Sequence, residues 1–294
     1  MTKPPLVSVI IPAFNRGEML RRALHSVRAQ TCQDYEVFVV DDCSRDELRP
    51  IVATFDDARL HYLRHQTNRG GSAARNTGIA AATGEFVAFL DSDDEWDPEK
   101  LARQVDLFRN GDKNLGLVYT RVRTVPPEET RVPHLRGRVF DALLENNFVG
   151  GCSCVTIPRA VLIASGGFDE SLQSCQDWDA WLAVAKTYDI DFLIEPLTTY
   201  HWADESITRD PTRSLSGHRR FAEKWNDAIN ALPAKRRVRL AIHMGKVFWW
   251  RGKRKEGIDW YLRAAKDNPT ALFSLMWLIG RGMMKKILLL KKLR

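Results

Sequence analysis

Phe89-Leu90-Asp91-Ser92-Asp93-Asp94-Glu95-Trp96 joins an apolar run, residues 85–90, to three carboxylates within four positions. Such a run reads as a buried strand delivering acid groups to its own carboxyl end. Carboxylates this close repel one another, which invites a divalent cation with oxygen ligands. The plainer reading is a solvated acidic turn leading into a helix that starts at Asp97-Pro98-Glu99. The octapeptide alone leaves both readings open.

Working outward, Leu6–Ile11 is a β-branched strand that stops at Pro12, followed by turn residues 12–17 and an amphipathic helix over Glu18–Gln30. A strand over Tyr35–Val40 ends in Asp41-Asp42-Cys43-Ser44. A helix through Leu48–Phe55, a short strand at Leu60–Leu63, the turn Asn68-Arg69-Gly70-Gly71-Ser72 and a helix over Ala73–Ala82 return the chain to the opening strand. This alternation predicts an α/β fold with a mostly parallel sheet flanked by helices. Ligands of such sheets bind beyond the carboxyl ends of the strands, where Asn15, Asp41, Asp42, Asp91 and Asp93 all fall.

The chain has 294 residues, and its charge is divided unevenly. Residues 1–216 carry 24 Lys and Arg against 32 Asp and Glu, whereas residues 217–294 carry 20 against 5. An acidic body with a basic tail suggests two jobs. The five cysteines lack zinc-site spacing and read as reduced thiols. With no signal-peptide region and no stretch of roughly 18–20 apolar residues, the expected location is the cytoplasm.

The strings Val9-Ile10-Ile11-Pro12-Ala13-Phe14-Asn15, Val40-Asp41-Asp42-Cys43-Ser44, Asn68-Arg69-Gly70 with Ala74-Arg75-Asn76-Thr77-Gly78, and Asp91-Ser92-Asp93-Asp94 together resemble the family 2 glycosyltransferases. The resemblance covers about the first hundred residues. It implies the GT-A (nucleotide-diphospho-sugar transferase) fold and a nucleoside-diphosphate sugar donor, with UDP expected. It also implies a Mg2+ or Mn2+ ion and inversion at the anomeric carbon. Pro12 and Asn15 would wall the nucleotide pocket, Asp42 would accept from a uracil-type imide, and Asp41 would lie beside the base or ribose. Arg75 would offer a positive fork near the base or diphosphate. Asp91 would face the ribose or a metal-bound water, Asp93 would be the direct metal ligand, and Ser92 would lie between them in the donor site. For Asp94 the acceptor side and a helix cap both stay open. Residues 1–110 would form the nucleotide-sugar half and 111–216 the acceptor half.

Downstream, Asn147–Val155 reads as an alternating strand that points Cys152 and Cys154 together into the core. Gly166-Gly167-Phe168-Asp169-Glu170-Ser171-Leu172 resembles the family landmark that precedes the catalytic acid. In Gln176-Asp177-Trp178-Asp179, Asp177 matches the general base that removes the acceptor proton. The family's preceding Glu is Gln176 here, which predicts easier ionisation of Asp177. Asp179 would cap the helix or touch the acceptor. Leu193–Tyr200 reads as a strand, and the segment after it, residues 201–208, has His201 and Ala203 where relatives carry Arg-x-His, so that His201, displaced by two, is the nearest candidate for a metal or diphosphate contact and ordinary packing is the alternative.

Beyond residue 216 the pattern is helical. Gly245, Phe248, Gly252, Gly257, Tyr261, Ala264 and Pro269 have the spacing of a tetratricopeptide-like hairpin. Residues 271–294 mix apolar and basic side chains, as in an amphipathic helix lying on an anionic membrane surface, so a peripheral position at the inner face of the plasma membrane is expected. No nucleic-acid motif accompanies the basic surface. The reading is an inverting transferase acting on a glycan or lipid-linked acceptor in envelope or exopolysaccharide synthesis. A catalytically idle GT-A-like scaffold and a metal-dependent nucleotidyl- or phosphotransferase are the alternatives.

Overall fold

The computed structural model describes residues 3–126, 132–202, 210–277 and 279–280. Strands β1 (Val7–Ala13), β2 (Tyr35–Asp41), β3 (Leu60–Arg64) and β4 (Phe86–Phe89) alternate with helices α1 (Gly17–Arg28), α2 (Leu48–Ala53) and α3 (Gly71–Ala81). The second half adds β5 (Glu95–Trp96), α4 (Lys100–Asn110), β6 (Leu115–Val125), α5 (Phe140–Glu145), β7 (Val155–Pro158), α6 (Arg159–Ala164), α7 (Gln176–Ala185) and β8 (Asp189–His201). All eight strands form one sheet in the order β3-β2-β1-β4-β7-β6-β8-β5.

The first four strands are parallel, and the apolar residues of β1, β2 and β4 are buried on both faces, which is why they read as continuous hydrophobic runs, whereas the edge strand β3 is only half-buried. The second half is mixed: β7 runs antiparallel to both β4 and β6, while β6 and β8 are parallel. β1 does not stop at Pro12, as its sequence suggests, but pairs with β2 through Ala13. Its pairing with β4 ends at Ile10. Because Ile10 O accepts from Leu90 N, Pro12 faces the same side two residues on, where no strand requires its missing N–H.

The expected strand over Asn147–Val155 is a loop and a short 3-10 turn, Cys152–Cys154, with β7 beginning only at Val155. The alternation that suggested a strand comes from a tight turn in which Asn147 Oδ1 accepts from Gly150 N at 3.1 Å. Both cysteines are nevertheless buried in the core, and burial pushes the Cys154 thiol up to about 12.

Helices α8 (Pro211–Lys224), α9 (Asn226–Ala231), α10 (Ala234–Trp250) and α11 (Arg254–Asp267) follow. Helix α8 runs through the boundary expected after residue 216. Leu215, Phe221, Ile229, Leu240, Met244 and Phe248 join the core that contains Phe89, Trp178 and Trp181, so the helices share one apolar interior with the sheet. α10 and α11 pack closely because each offers a glycine. A Cβ on Gly245 would meet the Tyr261 ring at 2.7 Å, and one on Gly257 would meet Gly245 O at 3.0 Å. The basic residues 281–294 lie outside the described residues.

Candidate active site

The parallel strands bring three loops to one edge. After β1, Asn15 adopts φ 53°, a left-handed conformation that Asn tolerates, and its side chain accepts from Arg45 N at 2.7 Å. Its own N–H donates to Ser44 Oγ at 2.9 Å, tying the first loop to the second. Pro12 lies half-buried at the base of this wall.

Asp41 and Asp42 are both buried and bonded within the protein. Asp41 accepts from Ser44 N at 2.8 Å, Tyr62 Oη at 2.5 Å and Arg64 Nη1 at 2.9 Å. Asp42 accepts from the backbone N–H groups of Arg69 at 2.8 Å and Gly70 at 2.7 Å, and pairs with His65 Nδ1 at 2.7 Å. These three bonds make Asp41 part of the framework of its own loop. Asp42 holds the Asn68–Gly70 turn against the β2 end, and Gly70, at φ 90°, permits that turn.

Beyond β4, Asp91 is partly exposed while Ser92, Asp93 and Asp94 are buried. Burial, reinforced by Asp91, raises the Asp93 carboxyl above its ordinary range. Two arginines of the β1–α1 region answer this strain: the Arg16 guanidinium binds the Asp93 carboxylate, and Arg22 Nη2 donates to Asp93 O at 2.5 Å. Asp94 turns inward and accepts from Ser153 Oγ at 2.5 Å, and Ser153 Oγ in turn accepts from Asp91 N at 3.0 Å. Burial drives the Asp94 carboxyl well above its ordinary range, with Asp91 and Asp93 adding to the effect. Asp94 thus ties the acidic loop to the Cys152–Cys154 turn instead of capping α4.

Arg75 joins the two halves. From inside α3, Nη2 donates to Asp91 Oδ1 at 2.5 Å and Nη1 to Gln176 Oε1 at 3.3 Å, while the guanidinium lies 5.4 Å from the Phe168 ring centre. It is buried between the acidic loop and α7. Gly71 makes room for it, since a Cβ there would come 3.1 Å from Arg75 Nη1. The next residue, Asn76, clamps the Gly167-Phe168 segment, donating to Phe168 O at 2.8 Å and accepting from Phe168 N at 3.0 Å.

Asp177 stands in the first turn of α7, where Asn147 Nδ2 donates to Asp177 Oδ2 at 3.1 Å. Burial raises its carboxyl pKa; the Trp178 backbone N–H and Arg75 oppose that rise, and Asp91 adds to it. The easier ionisation expected from Gln176 is therefore outweighed by desolvation. Asp179 does not cap the helix. It is 1% exposed and accepts from Lys224 Nζ and Trp225 Nε1, both at 2.8 Å, fastening α8 to α7. His201 Nε2 contacts Glu95 Oε1 at 2.6 Å, and Arg22 shares that carboxylate at 3.0 Å. Residues 203–208 of the segment after it lie outside the described residues.

Arg16, Arg22, His65, Asn147 and Ser153 escaped the sequence reading. Only Asn147 had a local signal, an Asn three residues before a glycine.

Among the described residues no group of three or more His, Cys, Asp or Glu side chains surrounds one metal position. Asp91 and Asp93 nonetheless fit a hard divalent cation. They are oxygen donors, they repel each other, and a positive guanidinium already neutralises Asp93. Ligands beyond these two would come from the substrate.

A parallel sheet with acids beyond β4, a glycine-rich turn opening α3 and a carboxylate at the start of α7 define a GT-A transferase. The glycosyl transferase family 2 model matches residues 8–162, and the chain belongs to that family. It is 30% identical over 187 residues, 63% of this chain and 72% of the relative, to WfgD of Escherichia coli, a UDP-Glc:α-D-GlcNAc-diphosphoundecaprenol β-1,3-glucosyltransferase. Residues 1–349 of S. aureus TarS in complex with UDP-GlcNAc share its fold at a TM-score of 0.62 and 18% identity, covering 92% of each chain. The mannosyltransferase PcManGT of Pyrobaculum calidifontis, in complex with GDP-Man and Mn2+, does so at a TM-score of 0.62 and 21% identity, covering 99% of this chain and 80% of that one.

Proposed function

We propose that this glycosyltransferase moves a sugar from a UDP-linked donor, with inversion, onto a saccharide carried by a lipid diphosphate, in envelope or exopolysaccharide synthesis. The observation that carries this reading is Arg75, which links Asp91 on the donor side to Gln176, the neighbour of Asp177. One cation thereby bonds to the first carboxylate and favours the charged form of the second, Asp177. The likeness to an enzyme acting on a diphosphoundecaprenol-linked sugar supports the acceptor class.

In this mechanism Asp177 accepts the proton of the acceptor hydroxyl as that oxygen bonds to the anomeric carbon. The bond from that carbon to the diphosphate oxygen breaks on the opposite face, and the nucleoside diphosphate departs. The raised pKa of Asp177 makes its carboxylate a stronger base than an exposed one, and Asn147 aims it. Arg16 and Arg22 supply positive charge at the acidic loop, where the diphosphate is expected. A Mg2+ or Mn2+ ion held by Asp93 and Asp91 would add charge neutralisation there.

Membrane contact belongs to the same proposal. Phe273, Met276 and Trp277 are exposed just before the basic residues 281–294, and no helix among the described residues is long and apolar enough to cross a membrane. Apolar side chains beside a basic stretch suit an anionic bilayer surface.

The test is a screen of nucleotide sugars, each with and without Mn2+, for a rise in unfolding temperature, followed by an assay for released nucleoside diphosphate. A UDP-sugar that stabilises the protein and yields UDP with a saccharide acceptor is expected. Release of pyrophosphate or phosphate instead would overturn the reading, as would binding without turnover across the acceptors tried.

A further inference from the structure

A cavity of about 470 Å³ opens between α8 and α11, away from the strand ends, with Phe248 of α10 in its wall. Its size falls in the roughly 300–1,000 Å³ range of small-molecule sites. Asp91, Asp93 and Asp177 do not line it. We propose that it is a second saccharide-binding site, which grips the acceptor glycan at a distance from the transfer centre. This rests on the reading of the acceptor as a saccharide.

The argument is chemical. The half-buried Trp260 gives the cavity an aromatic wall above the buried Phe248, and the C–H face of a pyranose ring packs well against such a surface. The polar lining provides both kinds of hydrogen-bonding partner that a polyol needs. Asn226 offers an amide, Asp259 and Glu223 accept, and Arg263 donates beside the Trp260 ring, its guanidinium 4.8 Å from the ring centre. Arg219 is already engaged with Glu256 through two bonds of 2.7 and 2.9 Å, which hold the Glu256 carboxyl below its ordinary range and stiffen the wall.

Charge selects among ligands. Glu223, Glu256 and Asp259 stand beside Arg219 and Arg263 in the lining, with Arg219 paired to Glu256 and Glu223 3.9 Å from Arg220, so positive charge does not dominate the cavity. A phosphate or nucleotide would meet three carboxylates as well as the two arginines, whereas a neutral saccharide satisfies donors and acceptors without needing a counter-charge. Position supports the same use. Asn226 directly follows Trp225 and Lys224, the two residues that bind Asp179 on the helix of the catalytic base. An acceptor chain held here would be fixed to the same rigid unit as Asp177, which raises its effective concentration at the transfer site.

The experiment exposes full-length protein to an array of lipid-free bacterial surface saccharides, comparing wild type, Asp177→Asn and the double variant Asn226→Ala/Asp259→Ala. Asn226 and Asp259 are exposed, so their loss leaves the core intact. A blocking variant, Ala222→Trp, fills the cavity from α8 as a second test. Wild type and Asp177→Asn are expected to retain at least one neutral saccharide, with retention falling at least tenfold in both cavity variants. Absence of any retained saccharide, retention unchanged in the cavity variants, or a cavity filled instead by a second copy of the chain would overturn the proposal. The transfer reading is judged separately by nucleoside diphosphate release with a short acceptor, which the cavity variants are expected to leave unchanged.

Discussion

Replacing Asp177 with Asn removes the proposed base while preserving its shape. The amide keeps an oxygen to accept from Asn147 Nδ2, which stands 3.1 Å from the native carboxylate. General-base assistance contributes about 10²- to 10⁴-fold, so kcat is expected to fall by that factor, about 3–5 kcal/mol of barrier. Stability should move the other way. Burial raises the Asp177 pKa, so the folded state holds its proton more tightly than the unfolded chain does. Stability is then lost as pH rises through the interval between the ordinary and the raised value, and the charge is a burden at neutral pH. Asp177→Asn should therefore unfold at the same temperature as wild type or higher, while KM for the donor changes little. In wild type, kcat/KM should climb with pH through a limb above the ordinary carboxylate range. Steady-state kinetics by nucleoside diphosphate release and a thermal unfolding scan measure both effects. Turnover within threefold of wild type would refute the role of Asp177, and a large drop in unfolding temperature would assign the residue to the fold instead.

Gln176→Glu places a second carboxylate beside the base and should move the pH–rate limb further upward; a limb that stays in place would show that Arg75 absorbs the added charge. Asp179→Ala strands Lys224 and Trp225 at the α7–α8 contact. Breaking a buried pair costs about 3–5 kcal/mol, and because Lys224 is partly exposed and keeps Asp169 at 2.9 Å, a loss near the lower end is expected from denaturant unfolding. Lys100 is wholly buried, donates to Gln104 Oε1 at 2.6 Å, lies 4.1 Å from the Trp96 ring centre and has its pKa lowered by burial from 10.5 to about 7. The folded state thus sheds this proton first, so wild-type stability should rise between pH 7 and pH 10. Lys100→Met should flatten that rise and unfold at a higher temperature near pH 7; an unchanged slope in urea unfolding across this range would refute it.

The parallel half of the fold was legible in the sequence because β1, β2 and β4 are buried on both faces and end in turn chemistry. Local order along the chain there matches order in space. The same holds for the glycine pair that lets α10 and α11 touch. The loop at residues 147–154 was misread because hydrophobic alternation records only which side chains are buried, and a tight turn beside a core buries alternate residues as a strand does. The candidate site divides the same way. Asp91, Asp93 and Asp177 announce themselves by type and neighbours, but their partners come from distant parts of the chain. Arg16 reaches Asp93 across 77 positions, and Arg75 reaches Gln176 across 101. No local pattern encodes such pairs, since each depends on where the crossovers deliver a helix. Asp41, Asp42 and Asp179 carry the same lesson in reverse. Their residue type suggested contact with a ligand, and only the tertiary structure showed the backbone N–H groups or cationic and ring donors that surround each within the protein. Sequence alone determined which carboxylates lie at strand and helix ends. Desolvation and long-range partners, which exist only after folding, decided how each of them behaves.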